Sequence, residues 1–238
     1  MRVAYDKRRN LASYRRYIDE ASDKGVRLLA FPECSLQGYL WAYDEVAWKF
    51  IRDENQEKYF QQNAENVPGE ATEIMCREAR KNDMYIQFGM AEKVNTTVGR
   101  RIYNSAVLVG PDGLIGVFRK VHVTPNPIFA AGDRFTVFNT PLGKVGPIIC
   151  KDIEFPESVR CLALDGAEVV INSTAWGMRG SEQVRKQRGY LYELCSTANA
   201  LMNNVWIINA DQDGQAKPSK HYCYGHSCIV DPMGRILA

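Results

Sequence analysis

The segment GKVGPIICKDIEFPESVRCLALDGAEVVINSTAW, residues 143–176, decides how this chain is expected to fold. Its pattern predicts a strand over residues 144–150, a helix that begins near Pro156 and a second strand over residues 168–172. A strand, a helix and a further strand in this order are typical of an α/β fold. Cys150 then stands at the carboxyl end of a strand, where α/β folds place their ligands. Nearby backbone N–H groups can stabilise a thiolate or a developing oxyanion there.

Short apolar runs and amphipathic helical stretches also alternate outside this segment, so the α/β pattern extends along the chain. Helices are predicted over residues 10–24, 68–82 and 182–203. Further strands are predicted over residues 2–5, 26–31, 85–91 and 205–209. Turn sequences predict hairpins that join residues 102–109 to 114–121, 136–139 to 144–150, and 226–230 to 235–238. Hairpins among helices indicate mixed sheets rather than purely parallel ones.

A single domain over residues 1–238 is expected, because no linker, internal repeat or low-complexity tract is visible. Both ends look short for such a fold. Only residues 6–9 separate the first predicted strand from the first helix, and the last predicted strand stops at Ala238. We therefore expect that terminal or loop segments of the natural chain are absent.

The composition is that of an ordinary globular protein and argues against several classes of partner. Of the 238 residues, 45% are hydrophobic and 24% charged, and the net charge of +2 comes from interleaved basic and acidic residues. Nucleic-acid and membrane surfaces require concentrated positive charge, so neither partner is expected. No apolar run reaches the roughly 18 residues of a membrane span and no secretory signal is visible, which favours a cytoplasmic protein. The seven cysteines lack C-x-x-C spacing, so reduced thiols are expected rather than disulfides or a zinc site.

Three residues carry chemistry that fits together, although each has a common structural explanation. A free cysteine such as Cys150 is far more often a buried core thiol, and a Glu33 or Lys120 at a strand end is usually a solvated charge. Amide cleavage by a thiol needs a nucleophile, a carboxylate that takes the thiol proton and returns it to the leaving amine, and a cation near the carbonyl oxygen. The three residues meet these needs together. A cysteine–histidine pair stays open at this point, through His122, His221 or His226.

The chain resembles the nitrilase superfamily of carbon–nitrogen hydrolases over essentially its whole length. The motifs FPECSLQGY, FRKVHVTP and GPIICKDIEFPE occur in the family's order and at about its spacing, with accessory matches in GAEVVINSTAW and YGHSCIVDPMGRILA. The resemblance implies a four-layer αββα sandwich, in which helices cover two mixed β-sheets. It implies that Glu33 is the general base and acid, Lys120 the oxyanion stabiliser and Cys150 the nucleophile of a thioester acyl-enzyme. The backbone N–H of Lys151 would share the oxyanion hole, and no metal or organic cofactor is implied.

Further residues are expected around a small-molecule substrate. Tyr39, Asn172 and Trp176 are expected to line the pocket, because each is predicted to follow a strand on the same rim. For Trp176, simple packing is an equal alternative. Lys151 and Glu154 lie where the branches of the superfamily vary, and substrate contacts are expected there as well.

The cysteine motif selects a branch of the superfamily. True nitrilases usually have Trp after the nucleophile, whereas Lys151 follows it here, and CKDIEFPE looks closer to the amidase and carbamoylase branches. The resemblance therefore favours hydrolysis of a small aliphatic amide to a carboxylic acid and ammonia. Hydrolysis of an N-carbamoyl amide is the first alternative and nitrile hydrolysis the second.

One departure from the family keeps a different class of function open. Many members carry a second glutamate a few residues after the lysine, but Asn126, Pro127 and Ile128 stand there in this chain. A catalytically impaired binding protein on the same fold is the resulting alternative. A homo-oligomer, a dimer or a multiple of one, is also expected by resemblance, formed through a helical face. Arg185, Arg188 and Tyr192 on the predicted helix 182–203 are expected on a solvated or subunit-contact face.

Overall fold

The computed structural model describes residues 1–39, 43–44, 49–50, 54–97, 99–123, 128–178, 182–214 and 222–238. The helices are α1 (Lys7–Asp23), α2 (Glu54–Asn63), α3 (Glu70–Lys81), α4 (Pro156–Leu164) and α5 (Glu182–Asn203), with a 3₁₀ helix over Cys150–Glu154. The strands are β1 (Leu28–Ala30), β2 (Tyr43–Asp44), β3 (Lys49–Phe50), β4 (Tyr85–Thr96), β5 (Gly99–Gly110), β6 (Gly113–Arg119), β7 (Phe129–Ala130), β8 (Phe138–Thr140), β9 (Gly143–Ile149), β10 (Val169–Thr174), β11 (Gly177–Met178), β12 (Trp206–Asp211), β13 (Asp213–Gly214), β14 (Tyr222–Tyr224) and β15 (Cys228–Val230).

Two mixed sheets of five strands each form the centre of the fold. In the first, the order is β1-β4-β5-β6 and β7 pairs with β5, with β1 parallel to β4 and antiparallel pairing along the β4-β5-β6 meander. In the second, the order is β15-β12-β10-β9-β8, and β10 runs parallel to both β9 and β12. Smaller sheets are formed by β11-β14-β13 and by β2-β3.

The alternation of side chains along the strands explains the layers. In β10, Val170 packs with the helices α4 and α5, whereas the next residue, Ile171, packs against Leu108 of the opposite sheet. On the other side, Phe88 of β4 packs with α1 and α3. Because successive side chains of a strand point to opposite faces, strands buried on both faces are apolar throughout. The layers are therefore helix, sheet, sheet and helix, and the predicted four-layer αββα sandwich is confirmed.

Most predicted elements are present with shifted ends, but the predicted strand over residues 2–5 is wrong. The N–H of Ala4 donates to Asn10 Oδ1 at 2.9 Å, and Asn10 Nδ2 donates to the Ala4 carbonyl at 2.6 Å. A side chain thus satisfies backbone groups that a sheet partner would otherwise have bonded. The helix that follows begins at Lys7, earlier than predicted, because the Asp6 side chain accepts the N–H of Arg9 as an N-cap.

The last predicted strand, over residues 235–238, is reduced to one bridge between Val230 and Ile236. The Asp231 side chain accepts the N–H groups of Met233 and Arg235 and closes the turn that precedes this bridge. The helix α2 was not predicted. Among the described residues, no helix is both long and apolar enough to cross a lipid bilayer.

Candidate active site

Glu33, Lys120 and Cys150 lie together in the interior of the structure. Lys120 directly follows β6, Cys150 directly follows β9, and Glu33 comes shortly after β1, so the two large sheets contribute side chains to the same place. The Nζ atom of Lys120 is 2.6 Å from Glu33 Oε1, and the side-chain exposures of the pair are 3% and 0%. Cys150 is also buried, and the charges of Glu33 and Lys120 both act on its thiol. The structure therefore brings the three sequence-predicted residues into one buried cluster.

The Glu33 carboxylate is held by three donors. Its Oε1 accepts hydrogen bonds from Lys120 Nζ at 2.6 Å and from Asn104 Nδ2 at 2.7 Å. Its Oε2 accepts the backbone N–H of Ala175 at 3.1 Å. Gln212 Nε2 also donates to the Glu33 carbonyl at 2.8 Å. A buried carboxylate is tolerated only when it is paired and hydrogen-bonded, and these contacts meet that condition.

Lys120 is a buried cation whose partner is the Glu33 carboxylate. Burial is the largest single influence and lowers the pKa of Lys120, but the acidic groups around the ammonium, Glu33 foremost, together outweigh burial and hold the pKa of Lys120 well above its usual value. Its backbone N–H donates to the Asn104 carbonyl at 2.9 Å, which ties Lys120 to β5. The ammonium also lies 6.0 Å from the centre of the Tyr39 ring. Lys120 therefore keeps its positive charge at neutral pH.

Cys150 occupies a turn with a left-handed backbone. Its φ angle is +48°, which costs a residue with a side chain on the order of 1–3 kcal/mol and persists only where neighbours enforce it. Its N–H donates to Asn172 Oδ1 at 2.7 Å, and the Asp152 carboxylate accepts the N–H groups of Ile149 and His122 at 3.0 and 2.8 Å. These bonds fix the turn from both sides.

The environment of the thiol keeps it protonated. Burial, and next the negative charge of Glu33, raise the pKa of the Cys150 thiol to about 12, against the lowering effect of Lys120. At pH 7 a thiol with that pKa is ionised in only roughly one molecule in 10⁵. Reaction of this sulfur therefore requires a base that removes the proton as the new bond forms.

The sequence-predicted substrate residues lie at different depths. Tyr39 is buried and its ring stacks on Phe129 with centres 6.3 Å apart. Trp176 is also buried, and its backbone N–H donates to Asp211 Oδ1 at 2.8 Å. Lys151 and Glu154 are partly exposed and form a 3.3 Å ion pair.

Asn172 is placed differently from its prediction. It does not follow a strand but lies inside β10, fully buried. Its Oδ1 is taken by the Cys150 N–H and its Nδ2 donates to Asn209 Oδ1 at 3.1 Å. Asn209 in turn donates to Ser196 Oγ at 3.0 Å. The amide of Asn172 is therefore occupied in supporting the cysteine turn.

The two histidines within the described residues, His122 and His226, have partners other than Cys150. His122 lies 3.0 Å from Asp152 and stacks on Phe155, and His226 lies 3.1 Å from Glu193. His221 lies outside the described residues. Of the three positions where the second glutamate was sought, Asn126 and Pro127 also lie outside them, and Ile128 is buried in an apolar cluster. Within the described ranges, no group of three or more His, Cys, Asp and Glu residues could hold a metal ion.

Two residues of the cluster were missed by sequence reasoning. Asn104 lies in the middle of the apolar strand β5, and Ala175 contacts Glu33 only through its backbone N–H. A polar residue within RIYNSAVLVG is a signal that could have identified Asn104, because buried amides in strands require partners. No sequence signal marks a backbone N–H such as that of Ala175.

Comparison with known proteins gives consistent matches over the whole chain. The family model described as Carbon-nitrogen hydrolase matches residues 1–238. Omega-amidase NIT2-B of Xenopus laevis is 30% identical over 241 residues, covering 96% of this chain and 78% of that protein. A nitrilase of Pyrococcus abyssi is 34% identical over 234 residues, covering 97% and 78%. The crystal structure of Saccharomyces cerevisiae Nit3, a member of branch 10 of the nitrilase superfamily, superposes with a TM-score of 0.80 at 25% identity, covering 100% of this chain and 81% of that one.

Proposed function

This chain belongs to the carbon–nitrogen hydrolase family and is an amidase-type enzyme of the nitrilase superfamily, and from this premise we propose that it hydrolyses a small aliphatic amide to a carboxylic acid and ammonia. The observation that carries the proposal is the buried ion pair of Glu33 and Lys120, 2.6 Å apart, beside the protonated thiol of Cys150. These groups match the base, cation and nucleophile that thiol-mediated amide cleavage requires.

In the first step, Cys150 attacks the amide carbonyl carbon. The Sγ–C bond forms while Glu33 takes the thiol proton, and the carbonyl electrons move onto oxygen. The Lys120 ammonium neutralises this oxyanion. Because the Cys150 N–H is already bonded to Asn172, we assign the backbone N–H of Lys151 as the second oxyanion donor.

In the second step, the tetrahedral intermediate collapses. Glu33 returns its proton to the amide nitrogen, the C–N bond breaks, and ammonia leaves a thioester on Cys150. Water then attacks the thioester while Glu33 takes a proton from it. Collapse of this second intermediate breaks the C–S bond, releases the carboxylic acid and returns the proton to sulfur. Glu33 thus serves in each proton transfer, and the cycle consumes only the amide and one water molecule.

The surroundings suggest roles for the other predicted residues. We assign Tyr39 and Trp176 to the apolar wall of the substrate pocket, because both are buried aromatic residues near the triad of Glu33, Lys120 and Cys150. Lys151 and Glu154, which are partly exposed, are assigned to its entrance. Asn172 is reassigned from substrate binding to support of the Cys150 turn.

Two other reactions on the same site are separated by substrate and product: an N-carbamoyl amine releases carbon dioxide as well as ammonia, whereas a nitrile gives the same acid and ammonia as an amide and is distinguished by which substrate is consumed. The name of the Xenopus laevis relative favours an amide substrate, whereas that of the Pyrococcus abyssi relative keeps nitriles as an alternative. In a panel of aliphatic amides, N-carbamoyl amines and nitriles, we expect ammonia release from at least one amide, without carbon dioxide. Carbon dioxide together with ammonia would identify a carbamoyl substrate instead. No ammonia from any member of the panel would favour the impaired binding protein.

A homo-oligomer is also proposed, from an apolar surface on the helical layer. Leu194, Leu201 and Met202 of α5 and Leu164 of α4 are exposed, Met202 and Leu164 at 73% each. Tyr192 was expected on a solvated or subunit-contact face, but it does not belong to this surface, because it is fully buried and packs on Trp176. Exposed apolar patches of this kind mark protein contacts.

We expect sedimentation velocity at micromolar concentration to give a dimer or a larger species. Leu201→Glu is expected to shift the distribution towards monomer, since it places a charge in the apolar surface. Lys186→Glu, on an exposed position of the same helix, is the control. A monomer at micromolar concentration for the unmodified chain would contradict the proposal.

A further inference from the structure

Asn104 touches two members of the triad at once. It lies in β5, is 1% exposed, and its Nδ2 donates to Glu33 Oε1 at 2.7 Å. Its backbone carbonyl accepts the N–H of Lys120 at 2.9 Å. One residue of the first sheet therefore holds both the carboxylate and the chain segment that carries the cation.

The orientation of the Asn104 amide follows from its second neighbour. The thiol of Cys34 donates to Asn104 Oδ1 at 3.3 Å. Burial, and next the charge of Glu33, raise the pKa of the Cys34 thiol well above its usual value, so the sulfur keeps its proton and acts as the donor. The reversed amide would set Oδ1 against the Glu33 carboxylate, where two acceptors repel each other. Cys34 thus directs the NH₂ group towards Glu33.

The two oxygens of Glu33 are made unequal by this contact. Oε1 accepts both Lys120 and Asn104, whereas Oε2 accepts the N–H of Ala175. The same N–H lies within reach of the Cys150 sulfur. Among the described residues, Oε2 thus accepts one donor, which it shares with the Cys150 sulfur, whereas Oε1 accepts two donors.

We propose that Asn104 is a positioning residue, which locks Glu33 so that Oε2 is the oxygen that exchanges protons with Cys150 and with the leaving nitrogen. This inference rests on the proposed function, because it concerns the base of that reaction. Without the Asn104 donor, one hydrogen bond remains on each oxygen, from Lys120 to Oε1 and from Ala175 to Oε2, and the carboxylate is held less firmly in its orientation. A misplacement of about 1 Å in a reacting group can reduce the rate about 10²-fold.

The test compares Asn104→Ala and Asn104→Asp with the wild type in kcat, KM and their pH dependence. We expect N104A to lower kcat about 10²-fold at every pH, with KM changed less than about threefold. N104D has nearly the same shape, but its new carboxyl group can donate to Oε1 only while it is protonated. We therefore expect its kcat, relative to wild type, to be within about tenfold at pH 5 and about 10²-fold lower at pH 8.

Asn10 provides the matched control. It is also 1% exposed and bonds backbone carbonyls, of Ala4 and Leu36, away from Glu33. N10A and N10D are expected to lower the free energy of unfolding while the pH profile of kcat keeps its wild-type form. If N104D follows the wild-type profile, or differs from it no more than N10D does, the proposal is overturned.

A second pair of variants applies even if the Asn104 variants do not fold. Cys34→Ser keeps a donor to Oδ1 and Cys34→Ala removes it. We expect C34S to retain kcat within about threefold and C34A to lose about tenfold. Equal kcat in the two variants would contradict the assigned amide orientation. Turnover that persists in Cys150→Ala would instead overturn the proposed function itself, so the two failures are distinguishable.

Discussion

Cys150→Ala is expected to lower kcat/KM by roughly 10⁴-fold or more, the size of effect seen when a covalent nucleophile is removed. The two buried thiols nearby are placed differently: Cys34 donates to Asn104, and Cys223 lies in β14 rather than in the turn that precedes Lys151. The measurement is steady-state ammonia release, with the unfolding transition recorded for each variant.

The control for this substitution is Cys161→Ala, which removes the exposed thiol of α4. We expect the control to keep wild-type kcat/KM, because Cys161 lies on the surface. Cys150→Ser should be nearly as inactive as Cys150→Ala, since a hydroxyl is a much weaker nucleophile than a thiol with the same base. Appreciable turnover in either Cys150 variant would remove the thioester from the mechanism.

Glu33→Gln is expected to produce the second largest loss, on the order of 10³–10⁴-fold in kcat, near the upper range for general acid–base catalysis. Glutamine can still accept Lys120 and Asn104 through its oxygen, but it cannot carry protons between sulfur, nitrogen and water. In the wild type, Glu33 Oε2 accepts the Ala175 N–H, whereas in the variant the glutamine NH₂ group would face this N–H as one donor against another. The substitution leaves the Lys120 cation buried without an anion, so the free energy of unfolding should fall by about 3–5 kcal/mol.

A substitution at Glu92 separates the loss of turnover from the loss of stability. Glu92 is 2% exposed and pairs with the partly exposed Arg119 at 2.7 Å, so Glu92→Gln also removes a buried, ion-paired carboxylate outside the triad. We expect E92Q to lose stability but to retain kcat within about threefold. If E33Q keeps turnover, or if E92Q loses as much turnover as E33Q, the role of Glu33 as the base is wrong.

Those features of the fold and the site that depend on short stretches of sequence could be predicted. The motifs around Glu33, Lys120 and Cys150 identified residues that the structure brings into one cluster, the apolar periodicity predicted an α/β fold, and the family resemblance implied the four-layer sandwich. Both the family and the amidase-type activity are confirmed by the comparisons. These predictions succeeded because a strand end and its polar residue are adjacent in the chain.

The sequence was less informative where long-range contacts decide. Asn104 and Glu33 are 71 residues apart, and no periodicity indicates that they share a hydrogen bond. Asn172 was assigned to the substrate because its strand was predicted to end there, whereas β10 continues to Thr174. Residues 2–5 have the composition of a strand, but the side chain of Asn10 bonds their backbone instead. For Asn104 and Asn172, a partner distant in the sequence or a strand end set by tertiary pairing determined the outcome, whereas for residues 2–5 it was a side chain a few residues along the chain.

In the proposed mechanism, Cys150 is a nucleophile activated by its neighbours and not an inert core thiol. Burial alone predicts slow reaction, because the raised pKa leaves almost no thiolate at pH 7. Activation by Glu33 predicts the opposite, since a base within the cluster removes the proton as an electrophile arrives. The rate at which this sulfur reacts with a small electrophile that carries an amide group therefore distinguishes an inert thiol from an activated one.

The most direct measurement is iodoacetamide labelling at pH 7, followed by mass-spectrometric mapping of all seven cysteines, with and without an amide substrate. The exposed Cys161 is the internal reference for an ordinary thiol. We predict that Cys150 is labelled faster than each of the other six thiols, and that the substrate suppresses labelling of Cys150 alone. Labelling of Cys150 no faster than the other six, without protection by any amide, would contradict the account.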